Sequence, residues 1–528
     1  MLASLLYAFS PVTLTSVNSG RLGTVVLLII GPWVFRSLLG FEKLESISWR
    51  GIWTLSIIVA VVLAFSPLIF LALAIWQLIL FISDLFTFNN ANSNLTKEEF
   101  DRRNSRRFTI LATPFLLSIP WSLEFILHPS RILLDPGINL AGGSLFSIIS
   151  GNPGGNGSLP IWLVSPLIFL AVTSLFVSKT GRLGEVALYF LALAALFGSR
   201  EIAGHGTFEP QQLWVGSLIV IPTLAAMLSA VIIVDYYVPQ ISLANVDFRH
   251  ILLALISALT AFSVLGSMFW WAATSSNAPL QRHSKSTLPA FLSVSAQTEE
   301  RFKTLVLKYK GDQIKYFIAR DRDLELGEPD VMNALSSDVT QAVDNLVSGR
   351  GITSSQVLAQ FGIRYIFLAR PYQEELTRTI DGAGGFTRVS STAEGTSWKV
   401  TGALSHISFI TNEGQYRTIP GGDIGAQGKL SSTGTIIVSE KFDDRWKMVL
   451  NGKLIRATET GNGLPKFSIT EPGDFIIYHD GTARRGWVSL QFIIVTTVII
   501  LALPARRRRS QMRACLLYTS PSPRDKRQ

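Results

Sequence analysis

Long apolar runs fill the first half of the chain and return once near its end. A helix that crosses a membrane needs about 20 mostly apolar residues. The stretch Gly51–Phe86 is too long for one crossing at about 1.5 Å per residue, and Pro67 divides it. Together with the seven other candidates, these two give about nine complete spans. Residues 1–14 add a partial one. The other candidate spans are Leu22–Leu39, Phe108–Leu127, Pro160–Ser178, Leu183–Phe197, Leu213–Tyr236, Ile251–Trp271 and Trp487–Leu503.

Between the last two spans the pattern changes to that of water-soluble protein. Short runs rich in β-branched and aromatic residues predict strands, and a near-continuous apolar run, Ile363–Leu368, suits a buried strand. Amphipathic segments between them predict helices, and Gly362 suits the end of one. We therefore predict an α/β subdomain over residues 273–404. Its other predicted elements are Lys303–Tyr309, Ile314–Ala319, Val331–Val347, Ser354–Phe361, Glu374–Ile380, Phe386–Val389 and Ser397–Val400.

Residues 405–485 show no helical pattern and alternate short apolar strands with glycine-rich turns. Asn451-Gly452 lies between two of these strands, and this dipeptide is a strong hairpin signal. The pattern predicts a small β-sandwich. Its predicted strands include Thr435–Ser439, Trp446–Leu450, Lys453–Ala457, Phe467–Thr470 and Asp474–Tyr478.

Composition and charge agree with a membrane protein and give it an orientation. Apolar residues make up 48% of the chain and charged residues 16%, whereas soluble chains carry about 25% charged residues. The cluster Arg506–Arg509 follows the last span, and positive loops stay in the cytoplasm. The basic segments Phe41–Arg50, Lys97–Arg107 and Lys179–Arg182 then also fall inside. Residues 273–485 are therefore predicted to be extracytoplasmic and the C-terminus cytoplasmic.

The chain is thus predicted to be an α-helical polytopic membrane bundle plus an extracytoplasmic α/β subdomain and a small β-sandwich. Residues 1–272 form the bundle, 486–504 the final transmembrane helix and 505–514 a basic tail. Residues 515–528 look like a translated sequencing adaptor and are left out of the fold prediction. They hold the one cysteine, Cys515, so no disulfide is expected within the chain.

Ionisable residues near the outer face are the candidate binding residues, because charge close to a membrane is costly and often functional. They would hold a lipid-linked phosphate or sugar. The alternative is that they only form local ion pairs and reach towards water. The sequence has no P-loop, HExxH or Cys/His metal spacing, so we expect no metal or cofactor, and no nucleic-acid partner. The candidates are Glu124, His128, Arg131, Arg200, Glu201, His205 and Glu209.

Several stretches resemble the C-terminal half of the large actinobacterial membrane proteins classed as family 2 glycosyltransferases. The resemblance implies a role in cell-envelope glycan assembly. Members of that family carry a cytoplasmic nucleotide-sugar domain before their spans, and nothing here corresponds to it. The resemblance therefore implies a fragment without the catalytic domain, and no catalytic residue is carried over. The matching stretches are Gly20–Thr24, Pro120–Leu123, Phe361–Ile366, Asp381–Ser390, Trp398–Val400, Trp446, Leu450–Lys453 and Gln491–Arg509.

Three hypotheses for function follow. In the first, the chain is the membrane portion of a glycosyltransferase and handles a lipid-linked acceptor or glycan. In the second, it is a transferase that uses a polyprenyl-phosphate sugar outside the membrane, with Glu201 or Glu209 as the base. In the third, it is a non-catalytic scaffold for glycan binding or export. The lipid bilayer is a partner in all three, and a polyprenyl-linked glycan is a partner in the first two.

Overall fold

In the computed structural model, described residues fall in the following ranges: 2–39, 44, 46–89, 96–138, 143–155, 158–175, 181–202, 211–242, 248–280, 288–310, 313–322, 336–351 and 353–503. The predicted basic tail, residues 505–514, lies outside them, as do the last residue of the predicted final helix and residues 515–528.

Apolar helices form the first part of the chain. Their side chains meet in one buried cluster that includes Leu27, Ile52, Ile69, Phe190 and Ile219. These helices are α1 Leu2–Ala8, α2 Pro11–Asn18, α3 Leu22–Leu38, α4 Trp49–Phe65, α5 Pro67–Asn89, α6 Lys97–Leu117, α7 Glu124–Leu127, α8 Leu145–Ile149, α9 Ile161–Leu175, α10 Gly181–Gly198, α11 Gly216–Ser242 and α12 Phe248–Thr274, and a two-stranded hairpin of β1 Glu201–Ile202 and β2 Gln211–Gln212 follows α10.

Fewer helices reach spanning length than the sequence predicts. Within the described ranges, five are long and apolar enough to cross a membrane, and six if a bent pair counts as one span. Helices α3 and α4 have 17 residues each, or about 26 Å. This is shorter than the roughly 30 Å hydrocarbon core. The predicted break at Pro67 is confirmed, because α4 ends at Phe65 and α5 begins at Pro67.

Two predicted spans differ in shape. Residues 1–14 do not form one partial span, because a proline at the start of α2 separates it from α1. The predicted span Phe108–Leu127 is also not straight: α6 ends at Leu117, and the helical segment Trp121–Leu127 continues at 109° to it. Pro120 has no amide hydrogen with which to continue the helix. Glu124 therefore lies on a short helix after the bend.

A five-stranded sheet with helices forms the α/β part. Its strand order is β4-β3-β5-β7-β6, with β3 and β5 parallel and the other pairs antiparallel. Gly362 lies at φ +72°, a left-handed conformation that suits glycine, between a helix and the central strand. The elements are α13 Ala290–Ala296, β3 Lys303–Lys310, β4 Gln313–Ala319, α14 Ser337–Val347, α15 Ser354–Gln360, β5 Ile363–Ala369, α16 Glu374–Gly382, β6 Phe386–Ser391 and β7 Gly395–Val400.

Two further sheets pack face to face. One has the order β10-β16-β12-β13 and the other β14-β15-β11-β8-β9. Phe409 and Ile436 of one sheet share a buried cluster with Met448 and Ile477 of the other, as in a β-sandwich. The strands are β8 Ile407–Thr411, β9 Tyr416–Thr418, β10 Gly425–Leu430, β11 Gly434–Val438, β12 Trp446–Leu450, β13 Lys453–Arg456, β14 Thr458–Glu459, β15 Pro465–Ile469 and β16 Gly473–His479.

The last helix, α17 Thr482–Ala502, returns to the helical bundle and packs on α4. The side-chain amide of Gln491 donates a hydrogen bond of 2.8 Å to the carbonyl oxygen of Leu117, at the end of α6. The α/β sheet and the sandwich therefore stand between two helices, α12 and α17, that belong to the same apolar bundle.

Candidate functional site

The first group of predicted site residues does come together. The guanidinium of Arg131 lies 2.9 Å from a carboxylate oxygen of Glu124, and His128 Nε2 lies 3.9 Å from the same oxygen. Glu124 is on α7, and Arg131 is in the 3₁₀ turn Pro129–Leu133 that follows it. The Glu124 and His128 side chains are partly exposed, so this group is a local ion pair that a ligand can reach.

The second group is not joined to the first. Arg200 and Glu201 lie at the start of the β1–β2 hairpin, where both are exposed. Among the described residues, neither forms an ion pair with Glu124 or Arg131. His205 and Glu209 lie outside the described residues. The candidates therefore do not form one site in the described part of the chain.

A buried polar cluster that sequence reasoning missed lies at the same end of the bundle. It comprises Arg21, Thr24, Asp135 and Trp214, and we call it the outer cluster after its predicted side of the membrane. The Thr24 hydroxyl donates to a carboxylate oxygen of Asp135, and the Trp214 indole donates to the Thr24 oxygen at 3.0 Å. Arg21 and Asp135 are only 5% and 6% exposed. Buried charges of this kind are costly unless they are compensated or functional.

Arg21 ties the loop before α8 to the start of α3. Its guanidinium donates to the backbone carbonyls of Asp135 and, at 2.9 Å, of Ile138. The same guanidinium lies 5.0 Å from the centre of the Trp214 ring, within the range of a cation–π interaction. The carboxylate of Asp135 is thus held by a hydroxyl, and its backbone is held by an arginine.

Two glycines allow this close packing. A Cβ on Gly23 would overlap the carbonyl oxygen of Phe65, so only glycine lets α3 approach the end of α4 this closely. A Cβ on Gly137 would overlap the Arg21 side chain. The Gly20–Thr24 stretch, which carries part of the sequence resemblance, therefore forms one wall of the outer cluster.

A sequence signal for the outer cluster does exist. The predicted topology places the start of α3, the Phe65–Pro67 break, the loop 128–159 and Trp214 on one side of the membrane. Asp135 is an isolated acid in that loop, between Ile132-Leu133-Leu134 and Pro136-Gly137. Asking which charged residues flank apolar segments on one side would have added Arg21 and Asp135 to the candidates.

A second ionisable cluster joins the α/β sheet to the sandwich, and we call it the junction cluster. Lys303 of β3 lies 3.1 Å from a carboxylate oxygen of Glu440, and its ammonium also donates to the carbonyl of Ser439. Burial lowers the pKa of Lys303, and the adjacent Lys303 and Arg320 cations lower the pKa of Glu440 against the opposing effect of burial. Arg320 donates to Glu440 at 2.6 Å.

His406 is also a member of the junction cluster. Its Nδ1 lies 3.5 Å from Glu440, its side chain is 4% exposed, and its ring stands against Trp446. Burial lowers the pKa of His406 to about 4, although Glu440 opposes the shift. The buried neutral histidine and the buried Lys303–Glu440 pair connect two sheets, which suits a structural role.

Metal ligation is not indicated by the described residues. Among them, no three His, Cys, Asp or Glu side chains lie close enough together to hold an ion. The outer cluster holds one carboxylate, which accepts a hydrogen bond from Thr24, and one guanidinium, which donates to backbone carbonyls.

No family model and no curated protein matches the chain. The chain is similar to a cryo-EM structure of the arabinofuranosyltransferase AftD from Mycobacteria, at 15% identity and a TM-score of 0.43, over 78% of this chain and 32% of that one. A structure of a mutant of the same enzyme gives 12% identity and a TM-score of 0.37, over 90% of this chain and 50% of that one. This chain therefore spans about a third to a half of those chains, and scores this low do not establish a shared fold.

Proposed function

We propose that the chain is the membrane portion of a glycosyltransferase in cell-envelope polysaccharide or glycolipid assembly. In this proposal, its outer end handles a lipid-linked acceptor or glycan. The observation that carries the proposal is the outer cluster, where Arg21, Thr24 and Asp135 are buried together at one end of an apolar helical bundle. The sequence resemblance to family 2 glycosyltransferases supports the same role.

The chemistry of a lipid-linked glycan suits this position. Such a substrate keeps its lipid chain in the bilayer and presents phosphate and sugar hydroxyls at the interface. Glu124, His128 and Arg131 lie in the segment just before Asp135 and are partly accessible. Carboxylates accept hydrogen bonds from sugar hydroxyls, and an arginine donates hydrogen bonds to phosphate oxygens. The loop therefore offers both kinds of contact next to the buried cluster.

The predicted extracytoplasmic position of Asp135 also favours the second function, transfer from a polyprenyl-phosphate sugar outside the membrane. That reaction needs a base to accept the proton of the attacking hydroxyl. Sequence reasoning assigned this role to Glu201 or Glu209. Glu201 is exposed on a hairpin, whereas Asp135 is buried beside Arg21. Asp135 is the better candidate.

The test compares Asp135→Asn with Glu201→Gln in cells whose own copy of the gene is deleted. Asparagine keeps the shape of aspartate and still accepts the Thr24 hydrogen bond, so the fold is expected to survive. We expect Asp135→Asn to accumulate an unextended lipid-linked glycan at normal protein level, and Glu201→Gln to give the normal profile. Mass spectrometry of extracted lipid-linked glycans provides the readout.

Two results would contradict the proposal. If deleting the gene leaves every lipid-linked glycan unchanged, the glycosyltransferase role is wrong. If deletion changes the glycan profile and a gene copy carrying Asp135→Asn restores it fully, the chain acts on glycans but Asp135 has no part in that activity. Thr24→Val serves as the positioning control, because it removes the hydrogen bond to Asp135 and leaves the carboxylate in place.

A further inference from the structure

A cavity at the opposite end of the bundle has no role in the proposed function. It has a volume of about 490 Å³ and opens between α5 and α6. Leu78 and Phe108 are 55% and 74% exposed on this side, so the cavity faces the surrounding lipid. Its lining residues are Ala74, Gln77, Leu78, Phe81, Asn104, Arg107, Phe108 and Leu111.

Gln77 is an unusual residue at the bottom of this cavity. Its side chain is 1% exposed, and neither its amide nitrogen nor its amide oxygen has a hydrogen-bond partner among the described residues. A buried amide without partners costs free energy, and a membrane interior offers no water to compensate it. The amide is therefore available to pair with a polar group of a ligand that enters from the lipid side.

The other end of the cavity carries positive charge. Arg107 is largely buried, and its guanidinium lies 2.6 Å from a carboxylate oxygen of Asp84. Arg103 approaches the same carboxylate at 3.3 Å. These three side chains are one carboxylate and two guanidinium groups, so their summed formal charge is positive at this end of the cavity. In the predicted orientation this end lies at the cytoplasmic leaflet, where anionic lipids concentrate.

We propose that this cavity binds one anionic glycerophospholipid of the inner leaflet. The phosphate lies at Arg107 and Arg103, an acyl chain lies against Leu78 and Phe108, and an ester carbonyl accepts a hydrogen bond from the Gln77 amide. Gln77 and Asp84 are seven residues apart on α5, or about 10 Å along its axis. Gln77 and Arg107 both line the cavity, so one ligand can contact both donors.

The Gln77 amide decides between two phosphate-bearing lipids. A glycerophospholipid carries ester oxygens just below its phosphate, and these pair with the amide. A polyprenyl phosphate has only hydrocarbon at that depth and would leave the amide without a partner. The site therefore differs from one for a lipid-linked sugar, and the proposal does not depend on the glycosyltransferase function.

The test measures lipid retained by the full chain. The protein is reconstituted in nanodiscs of phosphatidylcholine and phosphatidylglycerol and extracted with detergent, and bound lipid is quantified by mass spectrometry. We expect phosphatidylglycerol to be enriched over phosphatidylcholine. Gln77→Leu should lower its retention roughly fivefold, the effect of one hydrogen bond. Ser229→Ala, which removes a buried hydroxyl of α11 that also has no hydrogen-bond partner, should leave retention unchanged.

Two further variants keep the test decisive. Arg107→Gln should abolish the preference for phosphatidylglycerol, but it also breaks the Asp84 pair and can impair folding. Leu111→Trp fills the cavity without changing charge and should release the lipid from a folded protein. Unchanged retention in folded Gln77→Leu or Leu111→Trp protein would overturn the proposal. So would displacement of phosphatidylglycerol from the wild-type protein by a smaller amount of polyprenyl phosphate.

Discussion

Acidification should loosen the contact between the α/β sheet and the sandwich, and His406 should be the cause. The pKa of this histidine is lowered from 6.5 to about 4 in the folded protein. Between these two values the unfolded state binds more protons than the folded state, so stability falls as the pH falls. The contribution of His406 is fully present above about pH 6.5 and is lost progressively down to about pH 4.

The size of the effect follows from the shift. One pKa unit corresponds to about 1.4 kcal/mol. Moving from about pH 7.5 to about pH 5 crosses about 1.5 units of this window, so opening of the junction cluster should become easier by about 2 kcal/mol. The lowered pKa of Glu440 acts in the same direction only at lower pH, around and below its ordinary value of 4.5. Of these two groups, His406 therefore dominates the interval between pH 7.5 and 5.

Hydrogen exchange in the full chain measures this opening. The amide of Ser439 donates to the carbonyl of His406 at 2.9 Å, so peptides that cover β8 and β11 report on the cluster. After correction for the intrinsic exchange rate, their protection should fall about thirtyfold between the two pH values. In His406→Gln this pH dependence should disappear, because glutamine does not titrate.

His479→Gln provides the matched control. His479 also stands against the Trp446 ring, at 5.3 Å between ring centres, but it is only partly buried. This variant should keep the thirtyfold loss. The reasoning is refuted if the wild-type protein keeps its protection at the lower pH, or if His406→Gln loses protection as the wild-type protein does.

Three substitutions test the packing. The added methyl group of Gly23→Ala would overlap the Phe65 carbonyl and should lower the free energy of unfolding by about 1–3 kcal/mol. Thermal unfolding in detergent measures this loss. The control Gly181→Ala, which has nothing within 4 Å of its Cβ, should leave the unfolding temperature unchanged. Asp381→Ala removes the acceptor that lies 2.8 Å from the indole nitrogen of buried Trp398 and should cost about 1–3 kcal/mol, seen as a lower unfolding temperature; an unchanged temperature would contradict this. Gly452→Ala forces a side chain into φ +81° and should cost about 1 kcal/mol, measured by hydrogen exchange of β12 and β13; unchanged exchange would count against a strained turn.

Local patterns were sufficient for most elements of the fold. The sequence Thr96-Lys-Glu-Glu99 matches the capping-box pattern of a helix N-terminus, and it begins α6 with both reciprocal hydrogen bonds formed. Asn451 and Gly452 both adopt positive φ angles between β12 and β13, as the hairpin signal predicts. These features depend on residues that are close in sequence, so their side chains and backbone decide them without help from the rest of the chain.

The bend after α6 and the outer cluster could not be obtained in the same way. A hydropathy window averages over Pro120 and therefore merges α6 with the segment beyond it. Thr24 and Asp135 are 111 residues apart, and Thr24 and Trp214 are 190 apart. Their contact depends on how α3, α11 and the intervening loop pack. The apolar pattern predicts that these segments are buried but does not predict which residues meet. It therefore favours exposed hairpin residues such as Arg200 and Glu201 over the buried Asp135.

The two polar clusters at the ends of the bundle give an independent argument for a membrane-spanning arrangement. Helix α5 begins at Pro67, next to the Phe65 carbonyl that packs on Gly23 beside the outer cluster. It reaches Asp84, the partner of Arg107, after 17 residues, or about 26 Å. That separation is close to the roughly 30 Å of a bilayer core. Buried charges are therefore found at both edges of an apolar layer about one membrane thick, and this spacing follows from described residues alone, without the arginine cluster that follows the last helix.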